Sequence, residues 1–192
     1  MCRASELPCF RCVLTANILL HKPAIQSSTY YSYGASLAND GILGQGELAS
    51  GHCSRAKRRN SPMWRVSLEG TFTVGTVKIF NRRDRNTQGE LNGVEVWVGS
   101  NSQSPTATNN TRCSPTTSYK YSRGSPGYPF TTRCGLKGSY LFVRIPRAGA
   151  YLSLCEVVAY ETGSTCGAAS CESPLCSPPR SNLVWTTWQP LS

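Results

Sequence analysis

No stretch of this 192-residue sequence reaches the roughly 18 consecutive apolar residues of a membrane-spanning helix, so insertion into a bilayer is not expected. Histidine is nearly missing. His21 and His52 are the only two, neither has paired carboxylates near it, and no acid–base constellation can be assembled from them, so an enzyme is not expected. His21, close to the first strand, reads as structural. Charged residues make up only 16% of the chain, which argues against a disordered polyelectrolyte. The first twenty residues also lack the unbroken apolar stretch of a signal peptide, because Arg3, Glu6 and Arg11 interrupt them.

What is abundant is ten cysteines, twelve prolines and seventeen glycines, the composition of a loop-rich β protein. The cysteines form three groups: Cys2, Cys9 and Cys12; Cys53, Cys113, Cys134 and Cys155; Cys166, Cys171 and Cys176. Four spaced cysteines in a β-rich region suggest two structural disulfides and an oxidising compartment. That conflicts with the missing signal peptide, and a truncated or mispredicted start is expected rather than a cytosolic protein. The acceptor triplet at Asn109 has meaning only in a secreted chain. Cys9 and Cys12 have metal-ligand spacing, but with no histidine nearby a zinc site is not expected there.

Between residues 17 and 160 the signal is period two. Trp64, Val66 and Leu68 share one face of a run, as do Val94, Val96 and Val98, and Leu141, Val143 and Ile145, the pattern of half-buried antiparallel strands. With "TVGTVKIF" and "YLSLCEVVAY" at least five strands are visible and no helix intervenes, so an all-β single-domain sandwich or jelly roll is expected. Residues 1–16 and the Cys/Ser/Pro-rich 161–192 read as irregular tails.

The net charge of +10 is unevenly placed. Nine basic residues lie between Arg55 and Arg85 against Glu69 and Asp84, so this surface should attract anions. One functional reading is therefore an extracellular interaction module in which Arg55, Lys57, Arg58, Arg59, Arg82, Arg83 and Arg85 cluster to bind sulfated or other anionic glycans. Nucleic acid is not expected, because the basic run lacks interleaved aromatics.

The segments "NILLHKPAIQSS" (17–28), "YGASLANDG" (33–41), "PMWRVSLEGTFTVGTVKIFNR" (62–82), "LNGVEVWVG" (91–99), "CGLKGSYLFVRIP" (134–146) and "YLSLCEVVAY" (151–160) closely resemble the F-type lectins, or fucolectins, in order along the chain. The resemblance implies a discoidin-like jelly roll that is secreted, binds fucosylated glycans, holds a structural calcium and forms homo-oligomers. Its sugar signature is His, twenty-six residues, Arg-x-Asp, four residues, then Arg or Lys. Such a site reads hydroxyl directions with charged donors, an arginine fork gripping two oxygens at once.

Arg82 and Asp84 match the Arg-x-Asp, but the histidine position holds Arg55, and His52 stands three residues too early. The last cation position is Gly89, or Glu90 if the count is anchored on "LNG". The adjacent cysteines that many members place after the Asp are Arg85 and Asn86. Losing two charge-assisted hydrogen bonds at about 1.5–3 kcal/mol each weakens binding by roughly a hundredfold to more than ten-thousandfold. Glu90 is also expected to pair with Arg82 and occupy its donors. The resemblance thus implies a lectin of the fucose-binding type with weakened or altered specificity, with Arg82, Asp84, Arg55 and His52 as its sugar-site residues.

The calcium loop is better kept. The resemblance assigns carboxylates of Asp40 and Glu156 and oxygens of Leu37, Ile42, Ser50 and Cys155 to the ion, with Ser50 replacing the family serine whose position is His52. It also pairs Cys53 with Cys155 and Cys113 with Cys134, closures of about a hundred and about twenty residues, worth roughly 5 and 3 kcal/mol in the chain-entropy model.

Overall fold

Alternating side chains build eight strands among the described residues, which are 16–43, 48–84, 87–113 and 129–162 of the computed structural model. They are β1 (Ala24–Gln26), β2 (Ser54–Arg59), β3 (Met63–Phe80), β4 (Glu95–Gly99), β5 (Asn110–Arg112), β6 (Phe130–Arg144), β7 (Ala150–Leu154) and β8 (Glu156–Glu161). The six terminal cysteines, the Cys9–Cys12 spacing, Arg85, Asn86 and nearly all of both expected tails lie outside the described residues. Glu161, placed in the C-terminal tail from sequence, is still in β8, because it faces Val74 across β3.

One sheet runs β1-β3-β6-β4-β5, with β8 also on β3, and the second is the ribbon β2-β7; every pair is antiparallel. The runs "MWRVSL" and "TVGTVKIF" fuse into the single 18-residue β3. They looked separate because the strand bulges between them. Ser67 faces Tyr140 and Phe72 faces Gly138, so residues 68–71 stand opposite Ser139 alone, with Glu69 in the left-handed region at φ 54°. A second shift at Gly75 changes the parity, so that Val77 and Ile79 point inward along with Val74.

The run "YLSLCEVVAY" behaves oppositely and splits at Cys155. β7 pairs with β2 in the ribbon, whereas β8 pairs with β3 in the large sheet, so the chain changes sheets at the cysteine. Between the two sheets lie Trp64, Val66, Leu68, Val77, Ile79, Val96, Leu141, Val143, Leu152, Leu154 and Val157, all 3% exposed or less. Burying each such side chain favours folding by about 1.5–3 kcal/mol relative to leaving it in water. Trp64 keeps its polar edge satisfied by donating Nε1–H to the Ala35 carbonyl at 2.9 Å. Where β6 crosses β4, a Cβ on Gly138 would come within 2.6 Å of the Gly99 backbone, so glycine is required for the approach.

Candidate binding site

Arg55 sits second in β2, and its pairing with Ser153 of β7 puts the two side chains on one face of the ribbon. Tyr151, two residues before Ser153, shares that face. Its ring lies 4.4 Å from the Arg55 guanidinium carbon, and Tyr30 lies 4.7 Å away on another side. The arginine is thus bounded by two aromatic faces, and its buried Nε has no hydrogen-bond partner.

Arg82 follows the end of β3 and is 5% exposed. Its Nε donates to Asp84 Oδ2 at 2.8 Å, and the same oxygen accepts the Leu48 backbone N–H at 3.1 Å. Partial burial pushes the Asp84 carboxyl up, but the Arg82 guanidinium and the Leu48 N–H outweigh it and hold the group below the ordinary aspartate value.

The short 3-10 turn Gln88–Leu91 brings in Glu90. Its Oε1 accepts from Arg55 Nη2 at 2.8 Å, and its Oε2 accepts from Arg82 Nη1 at 3.2 Å and from Ser153 Oγ at 2.8 Å. A continuous alternation Arg55–Glu90–Arg82–Asp84 results, two cations against two anions. Arg55 and Arg82 therefore do not belong to an exposed basic surface; they turn inward and are neutralised there. Arg83 is exposed. His52 is half-buried on the chain leading to Cys53 and takes no part in this network. Gly89 carries no side chain toward it, although a Cβ there would meet only Asn92 Nδ2 at 3.4 Å.

Ser153, Tyr30 and Tyr151 were not singled out from sequence. The signal for two of them was present in "AYLSL", where Tyr151 and Ser153 alternate with the buried Leu152 and Leu154.

A second cluster lies around the start of β8. Glu156 is completely buried, yet neither carboxylate oxygen accepts a hydrogen bond of good geometry. Burial, and next the charge of Asp40, push its pKa up to about 8, with the Gly41 N–H pulling the other way. Asp40 Oδ1 accepts the Ile42 N–H at 2.8 Å across a turn in which Gly41 has φ 80°. Two neighbouring carboxylates, one buried with no well-formed hydrogen bond, are what a hard cation relieves, so the donor set fits calcium. No cluster of three or more His, Cys, Asp or Glu exists among the described residues, so further ligands would be carbonyl or hydroxyl oxygens. Leu37 lies in the 3-10 turn Ala35–Ala38, Ser50 in the turn Leu48–Ser50, and Cys155 at the corner between sheets.

Both disulfides are formed: Cys53–Cys155, with Cα atoms 3.8 Å apart, and Cys113–Cys134, at 4.4 Å. The first joins the start of β2 to the residue preceding Glu156, and so connects the two clusters through the backbone.

A family model described as a NedA-like, galactose-binding domain matches residues 37–143. Fucolectin-5 of Anguilla japonica is 32% identical over 148 residues, 73% of this chain and 74% of the relative. The pentraxin fusion protein of Xenopus laevis is 31% identical over 133 residues, but these make up 68% of this chain and only 30% of that protein. Among solved structures, the fucolectin from striped bass (Morone saxatilis) serum superposes with a TM-score of 0.64 at 32% identity, covering 76% of this chain and 47% of that one.

Proposed function

The chain belongs to the F-type lectin family, and from that membership we propose that it is an extracellular carbohydrate-binding lectin whose fucose-type site is weakened by an internal carboxylate. The family consists of carbohydrate-binding domains, not enzymes. The observation that carries the reading is Glu90, which accepts hydrogen bonds from Arg55, Arg82 and Ser153. A sugar hydroxyl arriving at Arg82 would compete with a charged acceptor already in place, and charge-assisted bonds are about twice as strong as neutral ones. Asp84 orients Arg82 as a sugar site requires, so the scaffold is kept while part of its donor capacity is spent inside the chain.

The experiment is calorimetry with L-fucose. The wild type is expected to bind weakly or undetectably, and the double variant Arg55→His with Glu90→Arg to bind measurably, by removing the internal acceptor and restoring a neutral ring and a donor fork. Tight binding by the unmodified chain would overturn the reading.

A structural calcium completes the proposal, held by Asp40 and Glu156 with oxygens of Leu37, Ile42, Ser50 and Cys155. The support is the pair of Glu156 oxygens that accept no well-formed hydrogen bond. Calcium would supply the positive charge that allows this buried group to ionise. The two disulfides and the serum origin of the striped bass relative support an extracellular setting, with fucosylated glycans as partners.

A further inference from the structure

The large sheet and the site above leave one strongly charged surface unexplained. Between Ala56 and Arg59 the β2–β7 register slips, since Ala56 faces Leu152 but Arg59 faces Ala150, so Lys57 and Arg58 both stand opposite Tyr151. In a regular strand, alternation would turn one of three consecutive residues inward. This bulge leaves Lys57, Arg58 and Arg59 all exposed.

The turn before β7 adds a fourth cation. Ser61 N–H donates to the Arg147 carbonyl at 3.0 Å, Gly149 N–H donates to Asn60 Oδ1 at 3.3 Å, and Arg58 Nε donates to the Gly149 carbonyl at 2.8 Å. The exposed Arg147 is thereby brought beside the end of β2, although it lies about ninety residues away in sequence. On the other flank, Lys57 N–H donates to Ser28 Oγ at 3.1 Å, placing segment 27–33 alongside. The three segments 27–33, 54–63 and 146–153 contain no aspartate or glutamate. Among the described residues, none of the ion pairs involves Lys57, Arg58, Arg59 or Arg147.

We infer that these four cations form a second binding surface, distinct from the Arg82 site, for the sulfate groups of an acidic polysaccharide. Four like charges with no local counter-charge repel one another and are relieved by a polyanion that bridges them. The surface adjoins the sugar site: Tyr151, opposite the bulge, is also the ring against Arg55, and Lys57 is only two strand residues, about 7 Å, beyond Arg55. A single glycan chain can therefore run from one to the other. The choice of a glycan as the carrier of the anions rests on the carbohydrate-binding reading; the anion surface itself does not.

The test is binding of a heparin octasaccharide to the full chain at several salt concentrations. If all four cations engage, the log–log salt slope should be about 3, taking roughly 0.7 released ions per contact. Lys57→Gln/Arg59→Gln/Arg147→Gln, which spares the Arg58 contact to Gly149, should bind at least tenfold more weakly with a shallower slope. Lys78→Gln/Arg133→Gln/Lys137→Gln removes the same charge from other positions and should stay within about twofold of wild type. Wild-type affinity in the first variant, or an equal loss in the second, overturns the inference. If phosphatidylserine vesicles or single-stranded DNA bind as tightly through the same residues, the polysaccharide assignment falls. Fucose calorimetry on Arg55→His/Glu90→Arg is independent of all these measurements, so failure of the sugar-site reading is told apart from failure of this one.

Discussion

Glu90 receives hydrogen bonds from residues that arrive on β2, after β3 and on β7. Its carboxylate is mostly buried, so removing it strands the Arg55 guanidinium in a poorly solvated place and leaves Arg82 with Asp84 alone. Glu90→Ala should cost about 2–4 kcal/mol in urea unfolding, toward the low side because 15% of the side chain is still exposed. Glu90→Gln, which keeps the shape, should cost less. A double-mutant cycle with Arg55→Met should give a coupling of at least about 1 kcal/mol, and a coupling near zero would show that the ion pair is idle. The Arg82–Asp84 half of this site was legible in sequence because the partners are two residues apart within a known pattern. Glu90 was within reach of Arg82 because it follows in the same loop, eight residues on. The Arg55–Glu90 and Ser153–Glu90 contacts were not, since they depend on β2 pairing with β7, which spans about a hundred residues and leaves no local trace. Arg55 lies in the run that reads as a basic patch, and what separates it from the exposed Lys57 is the Glu90 carboxylate that it meets at 2.8 Å.

At the scale of elements, strand existence was legible from period two, while strand continuity was not. The bulge at 68–71 breaks the alternation in the middle of β3 and makes one strand look like two. At Cys155 the core-facing parity shifts from Leu152 and Leu154 to Val157 and Ala159 as the chain passes from ribbon to large sheet, but no turn residue marks the break, so two strands look like one. β1 and β5 have three residues each, too short for any periodicity to register. The corner at Cys155 leads to a prediction that separates the disulfides. Replacing Cys53 and Cys155 by alanine removes a closure of 102 residues and should cost roughly 5 kcal/mol, against roughly 3 for the 21-residue closure of Cys113–Cys134. Cys155 directly precedes Glu156, so loss of the first bridge should also shrink the rise in melting temperature produced by calcium, whereas loss of the second should leave it intact. Equal effects of both on the calcium response would mean that the corner does not position the cation site.

For the molecule as a whole, the two perturbed carboxyls pull stability in opposite directions along the pH axis. Asp84 has a folded pKa below its ordinary 3.8, so its contribution is present above that value and is lost as pH falls through the lower folded value. Glu156 has a folded pKa raised from 4.5 to about 8, so in the metal-free protein the unfolded chain releases this proton first. Stability then falls as pH rises from about 4.5 to about 8, by at most roughly 5 kcal/mol, and levels off above. In chelator the domain should therefore be most stable at mildly acidic pH, between the range where Asp84 protonates and the range where Glu156 is forced to ionise. The proposed calcium would bind the ionised carboxylate, and its binding near neutral pH would displace a proton. Its stabilising effect should consequently grow with pH until about 8, and the pH of maximal stability should move upward when millimolar calcium is added. Thermal melts across pH 4 to 9, with calcium and with chelator, measure both curves. Glu156→Gln supplies the decisive comparison: it should flatten the chelator curve above pH 5 and abolish the calcium-dependent shift. If that variant keeps both the slope and the shift, the cation is held elsewhere and the buried carboxyl is not its ligand.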